Sequence, residues 1–194
     1  MHLKYILFTI IFLLSAESGI SSDNSTKEHD VKISFGYGQS IVHFNNSSQL
    51  NFVLEYFISK NLSLDYWFAS NFSSDNTFIH TPLGLVAGLT LLSETWKTDY
   101  STYDYLILLL IILPEGIHYY MPMNEYVNLV SYLNPLGYDY LVDDYSLSST
   151  IGVKLEIVPL ENISINPFAG LKIFYSHPSA TFGFDFGFLL GIRF

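Results

Sequence analysis

The 194-residue chain contains no cysteine, carries a formal net charge of −10, and is 17% aromatic but only 13% charged. The lack of cysteine excludes a disulfide framework and a thiol-borne lipid anchor, and it disfavours the small secreted domains that depend on bridges. With 8 Lys and Arg against 18 Asp and Glu, nucleic acid is excluded as a partner, because phosphate binding needs clustered cations.

The chain opens with Lys4, an apolar run over residues 5–14, and the small residues Ala16, Ser18, Ser21 and Ser22. This order predicts a secretory signal peptide over residues 1–21, with Ala16 and Ser18 as one cleavage pattern; a run of about ten apolar residues is half of what a spanning helix needs. A polar linker over residues 22–30 follows. Residues 31–194 are expected to form one domain, of the size of a small eight-stranded barrel. The Asn-x-Ser/Thr matches at Asn24, Asn46, Asn61, Asn71 and Asn162 are read as chance in an Asn- and Ser-rich chain.

From residue 31 the pattern has a period of two. Val31, Ile33, Phe35 and Tyr37 alternate with Lys32, Ser34, Gly36 and Gly38; Phe52, Leu54, Tyr56 and Ile58 form a second apolar stripe, and Leu62, Leu64, Tyr66 and Phe68 a third. Side chains alternate faces along a strand, so these are strands with one apolar face. Two continuous apolar runs without alternation follow, over residues 82–92 and 105–113, separated by a polar stretch. They predict a helical hairpin inserted between strands 3 and 4, within residues 72–114, in which Gly84 and Gly88 allow close helix packing. The hairpin is expected on the barrel rim or in the outer leaflet, because a narrow barrel has no room for it. Two further strands, ten in all, are the alternative.

Residues 116–122 and 126–138 read as strands around a turn at Asn124 and Glu125, with a bulge or bend at Asn134-Pro135-Leu136-Gly137. Ile151, Val153, Leu155 and Ile157 resume the stripe, and a turn at Glu161 and Asn162 leads into Ile163, Ile165, Leu171 and Ile173. The stretches beginning at Asn61, Asn128 and Asn162 repeat weakly, which is hairpin periodicity. Short turns at Asn61, Asn124 and Asn162 would then lie at one end and longer connections at the other.

In the last segment, Phe182, Phe184, Phe186, Phe188, Leu190, Ile192 and Phe194 alternate with Gly183, Asp185, Gly187, Leu189, Gly191 and Arg193. Phe186, Phe188, Leu190, Ile192 and Phe194 resemble the C-terminal assembly signal of bacterial outer-membrane β-barrel proteins. The segments around Pro114-Glu115-Gly116 and Asn134-Pro135-Leu136-Gly137 are similar to those of uncharacterised small outer-membrane proteins of Bacteroidetes-type bacteria. The resemblance implies an all-β, antiparallel up-and-down transmembrane barrel in a Gram-negative outer membrane. It further implies contact with outer-membrane lipid and lipopolysaccharide, handling by the barrel-assembly machinery, and a monomer.

In this register the inward face collects Lys32, Glu55, Asp65, Lys154, Glu156, Lys172, Asp185 and Arg193, four basic and four acidic groups. Charges removed from water must pair, so a balanced set predicts an ion-pair network that closes the lumen. Asp139, Asp143 and Asp144 read as a solvated outer loop, or as divalent-cation bridges to lipopolysaccharide. His43, His80, His118 and His177 show no metal-ligand spacing and read as interface or loop residues; Glu115 reads as a rim charge. The His177-Pro178-Ser179 triplet superficially resembles the His and Ser of lipid A deacylase barrels, but no Glu follows it to orient a base. The expectation is a closed barrel with a structural or surface-interaction role, more readily not an enzyme, and with no cofactor or metal. A lipid-modifying enzyme and a small pore or transporter for apolar solutes are the alternatives.

Overall fold

A computed structural model describes residues 31–42, 45–71, 78–95, 104–141, 144–176 and 179–194. The expected signal peptide and linker, with His43, Asp143, His177 and Pro178, lie outside these residues. In chain order the described elements are β1 (Val31–Val42), β2 (Asn45–Ser59), β3 (Leu62–Asn71), β4 (Phe78–Pro82), helices α1 (Leu83–Thr95) and α2 (Asp104–Ile111), then β5 (Gly116–Asn124), β6 (Val127–Leu141), β7 (Asp144–Leu160), β8 (Ile163–Ser176) and β9 (Ser179–Arg193).

Each strand pairs antiparallel with its neighbours, and β9 returns to β1 with Lys32 opposite Arg193 and Ile41 opposite Phe184. The Phe194 amide donates to the Val31 carbonyl at 2.9 Å and completes the seam. Closure leaves no free sheet edge, which hydrocarbon demands because it cannot hydrogen-bond an unpaired backbone group. The outside is apolar: Phe35, Ile151, Phe182 and Leu190 are each more than half exposed, and Phe52, Leu171 and Phe188 more than a third. An unbroken ring of such residues is the band of a transmembrane barrel.

Nine strand segments make eight staves, because β4 and β5 are two parts of the fourth. β4 lies between β3 and β6 with His80 opposite Ala69 and Pro82 opposite Gly137, while β5 lies between the same two strands with Gly116 opposite Asp65 and Ile117 opposite Leu133. Counting along β3, Pro82 falls at the level of Trp67 and Gly116 at that of Asp65, so a single rung, opposite Tyr66, separates them. Residues 83–114 are looped out of the wall at that rung, and Glu115 stands at the junction. The expected helical hairpin is present, but it interrupts the fourth stave instead of preceding it, and it leaves from the wall and not from the rim. Tyr66 is five residues beyond Asn61, about 13 Å up a band roughly 25 Å tall, which is near mid-depth. The five-residue β4 escaped the periodicity reading because it runs through Pro82 directly into the non-alternating apolar helix.

Neither helix is long and apolar enough to cross a membrane. They pack on each other: a side chain at Gly84 would meet the Leu110 carbonyl, and one at Gly88 the Ile111 side chain. Small residues at this spacing let two helices approach where no hydrophobic effect drives them together. Ile107 is buried, while Leu89, Leu91, Leu106 and Leu109 face outward. The Tyr66 hydroxyl, on the outer face of β3, donates to the carbonyl of Ile112 just past α2, one of the helix-end acceptors left without an intrahelical partner.

Turns occur at 60–61, 125–126 and 161–162. At the opposite end the strands leave only residues 43–44, 142–143 and 177–178 between them, and 72–77 between β3 and β4. Most of the longer outer connections expected there are therefore strand. The bulge in β6 lies between Asn134 and Gly137, as the turn-forming residues foretold.

Because the two halves of the fourth stave keep one register, the hairpin is excisable. Replacing residues 83–115 with a single leucine should leave a folded eight-stranded barrel that still migrates faster unboiled than boiled in a detergent gel. Identical migration of the two samples would show that the hairpin is integral to closure.

Candidate functional site in the barrel lumen

Because strands alternate, the face opposite the lipid points into the barrel interior, and the side chains there form two charged clusters around an aromatic group. The first cluster centres on Glu55 of β2. Its Oε1 accepts from Lys154 at 2.6 Å and lies 3.3 Å from Lys32, and its Oε2 accepts from Ser63 at 3.1 Å and from the Tyr120 hydroxyl and faces His118 Nδ1 at 2.8 Å. Lys32 also reaches Glu156 at 2.9 Å and Asn166 at 3.2 Å. Glu156 in turn accepts from Arg193 at 2.7 and 2.6 Å and from Asn128 at 2.7 Å. Asp65 stands 3.3 Å from His118 Nε2 and accepts from Asn134 at 2.8 Å. Lys32, Glu55, Asp65, His118 and Glu156 are fully buried.

The second cluster is built on the junction of the hairpin. His80 of β4 lies 2.9 Å from Asp139 through Nδ1 and 2.8 Å from Glu115 through Nε2, and Lys172 donates to Asp139 at 2.6 Å. Lys172 also rests over the rings of Phe78 and Phe174 at 5.0 and 5.2 Å. Glu115 takes over the work of the missing rung: its amide donates to the Asp65 carbonyl at 2.9 Å, and its carboxylate accepts the Trp67 amide at 3.2 Å. A strand edge that would otherwise stand open in the membrane is satisfied by one residue.

Between the clusters, Trp67 packs against Tyr132 at 5.5 Å and Phe168 at 5.2 Å, and Tyr132 touches His118 at 5.6 Å. Gly152 and Gly170 face the Tyr132 ring, and a side chain at either would collide with it. Small residues on two neighbouring strands therefore leave the room that one large ring fills.

All eight residues expected inside, namely Lys32, Glu55, Asp65, Lys154, Glu156, Lys172, Asp185 and Arg193, face the lumen; Arg193 keeps a 21% exposed side chain at one end. The pairing differs from expectation for Lys172, whose partner is Asp139 rather than Glu156 or Asp185. Four residues were misplaced from sequence. Asp139 is not in a solvated loop: the extra residue of the β6 bulge reverses facing, so Tyr132 and Asn134 point inward before it and Gly137 and Asp139 after it. It therefore offers no cation bridge to lipopolysaccharide. His80 and His118 are lumen residues, and Glu115 is buried at the wall and not on the rim. The alternation Gly116, His118, Tyr120 inward against Ile117, Tyr119, Met121 outward carried the signal for His118. Among the described residues no His, Asp and Glu group is arranged to hold a metal.

A closed antiparallel barrel with an apolar exterior and a lumen filled by ion pairs and aromatic rings is a small transmembrane barrel of the outer-membrane type. No protein-family model matches the chain, and no curated protein sequence does. Among solved structures it is similar to Ail, the attachment invasion locus protein of Yersinia pestis, with 17% identity and a TM-score of 0.51 over 87% of this chain and all of Ail. It also resembles the N-terminal barrel of Pseudomonas aeruginosa OprF, at 9% identity over 83% of this chain and 97% of that one with a TM-score of 0.49, and Neisserial surface protein A, at 9% over 84% and 96% with 0.48. The likeness to Ail shows the barrel fold.

Replacing Lys172 with Met should leave Asp139 and Glu115 with His80 as their only shared basic partner, one buried carboxylate in excess, and cost about 3 kcal/mol. Adding Asp139→Leu should recover most of that loss, as measured by urea unfolding of the refolded protein in detergent. An unchanged midpoint in the single variant would contradict the pairing.

Proposed function

We propose that this chain is a non-conducting outer-membrane protein of a Gram-negative, Bacteroidetes-type bacterium, in which the barrel is an anchor with a structural or surface-interaction role and the hairpin is the part that acts on its surroundings. The lumen carries the reading: Glu55, Lys154, Lys32 and Glu156 bond one another across it, and a wall-to-wall set of buried pairs leaves no aqueous path. The strand ends opposite the short turns leave little loop for an adhesive surface, so the apolar hairpin is the feature on which this barrel's role depends. Outer-membrane lipid and lipopolysaccharide are the partners that suit its exterior, and a monomer suffices because the sheet closes on itself.

The test is conductance. Reconstituted in planar lipid bilayers, the protein should give no stepwise current across a range of voltages, and sustained unitary steps would overturn the closed-lumen reading. A second check addresses biogenesis. If Phe186, Phe188, Leu190, Ile192 and Phe194 are the signal read by the barrel-assembly machinery, Phe194→Ala should lower the folded fraction recovered from outer membranes several-fold while leaving refolding in detergent unchanged. Equal loss in both settings would make Phe194 a seam residue only.

A further inference from the structure

The lumen is not packed throughout. Behind the missing rung, where the aromatic group meets the second cluster, a cavity of about 20 Å³ remains, bordered by Gln49, Ala69, Glu115, Asn134, Lys172 and Asp185 among others. That is the room needed to hold one water molecule. Three of the bordering side chains, which are 3%, 2% and 8% exposed, each carry an oxygen with no hydrogen-bond partner among the described residues: Gln49 Oε1, Asn134 Oδ1 and Asp185 Oδ1.

The surrounding network determines the chemistry of these atoms. Asn134 gives its Nδ2 to Asp65 at 2.8 Å, so its oxygen is the atom left over. Gln49 gives its Nε2 to Asn51 Oδ1 at 3.4 Å, and that Asn51 atom is identified as oxygen because it also receives the Trp67 indole at 3.0 Å. The unpaired atoms are therefore all acceptors, and the guest must donate. Lys172 offers the complement: an ammonium has three donors, and its bond to Asp139 accounts for one, His80 Nδ1 being itself turned to the Asp139 carboxylate. A neutral molecule with two donors and two acceptor sites matches this surrounding, whereas a metal cation would sit against the Lys172 ammonium.

We propose that this cavity is a binding site for one water molecule, which donates to two of the three acceptor oxygens and accepts from Lys172. Asn134 is bonded to Asp65 of the first cluster and Lys172 belongs to the second, so the water joins the two into one hydrogen-bonded system directly behind the hairpin junction. The inference goes beyond the closed-barrel reading and does not depend on the membrane in which the barrel resides.

Oxygen-17 magnetic relaxation dispersion on the full-length protein in detergent counts long-lived internal waters, and Ala69→Val pushes two methyl groups into the cavity. The variant should show one long-lived water fewer and a lower midpoint of heat-induced unfolding, because the three acceptors keep their burial and lose their donor. An equal water count, or a higher midpoint in the variant, would overturn the proposal, since filling a dry cavity stabilises. Exchanging sodium for potassium or ammonium should leave the wild-type midpoint unchanged, and dependence on the cation would replace the water with an ion. Should Ala69→Val fail to fold, a high-resolution crystal structure of the wild type decides: a solvent peak within hydrogen-bond distance of Lys172 Nζ and Asp185 supports the site, and an empty cavity refutes it.

Discussion

Hydrocarbon offers a backbone no hydrogen-bonding partner, and every feature of this protein follows from meeting that condition. The sheet closes through the pairing of β9 with β1 and the Phe194 to Val31 bond, so no edge is left for lipid to face. Once closure is required, strand alternation divides the chain into a lipid face and a lumen face, and the composition of each face is constrained separately. The outer face can be almost wholly apolar. The inner face must be both compact and neutral enough to do without water.

The hairpin is the place where this condition is hardest to meet. An insertion at the rim would disturb no ladder, but an insertion at mid-depth removes a rung and leaves donors and acceptors on both neighbouring strands. Three devices restore them: the Glu115 amide and carboxylate serve Asp65 and Trp67, the Tyr66 hydroxyl serves the end of α2, and the β6 bulge absorbs the change of spacing on the other side. Within the hairpin the backbone satisfies itself by being helical, and Gly84 and Gly88 allow close contact between helices that have no water to drive them together. An apolar element therefore leaves the wall at mid-depth without opening it.

The lumen shows the same economy. Buried charges are costly unless paired, and a buried pair contributes less to stability than its short distances suggest, since desolvation offsets most of the attraction. What the pairs supply is exclusivity: with Lys32, Lys154, Lys172 and Arg193 each held by carboxylates, any shift of register would strand several charges at once. Anchored at the two halves of one stave, His80 and Glu115 tie the hairpin junction into that network, so the hairpin and the lumen are mechanically one unit.

The period of two in Val31–Val42, Leu62–Asn71 and the terminal strand, with its length and charge, pointed by itself to a lipid-facing barrel and to the inward facing of Lys32, Glu55, Asp65, Lys154, Glu156, Lys172, Asp185 and Arg193; it favoured eight staves and a helical insertion with a Gly84 and Gly88 contact over ten staves without deciding between them. These properties are local, because a strand's own sequence states which residues share a face. Only the tertiary structure decided which charges meet. Asp139 turns inward because a bulge five residues earlier shifts the alternation by one, and a bulge's effect on facing depends on how the neighbouring strand registers with it. His80 and Glu115 become a pair because residues 35 apart in sequence return to one stave three rungs apart, a coincidence set by the length of the inserted segment, which no periodicity encodes.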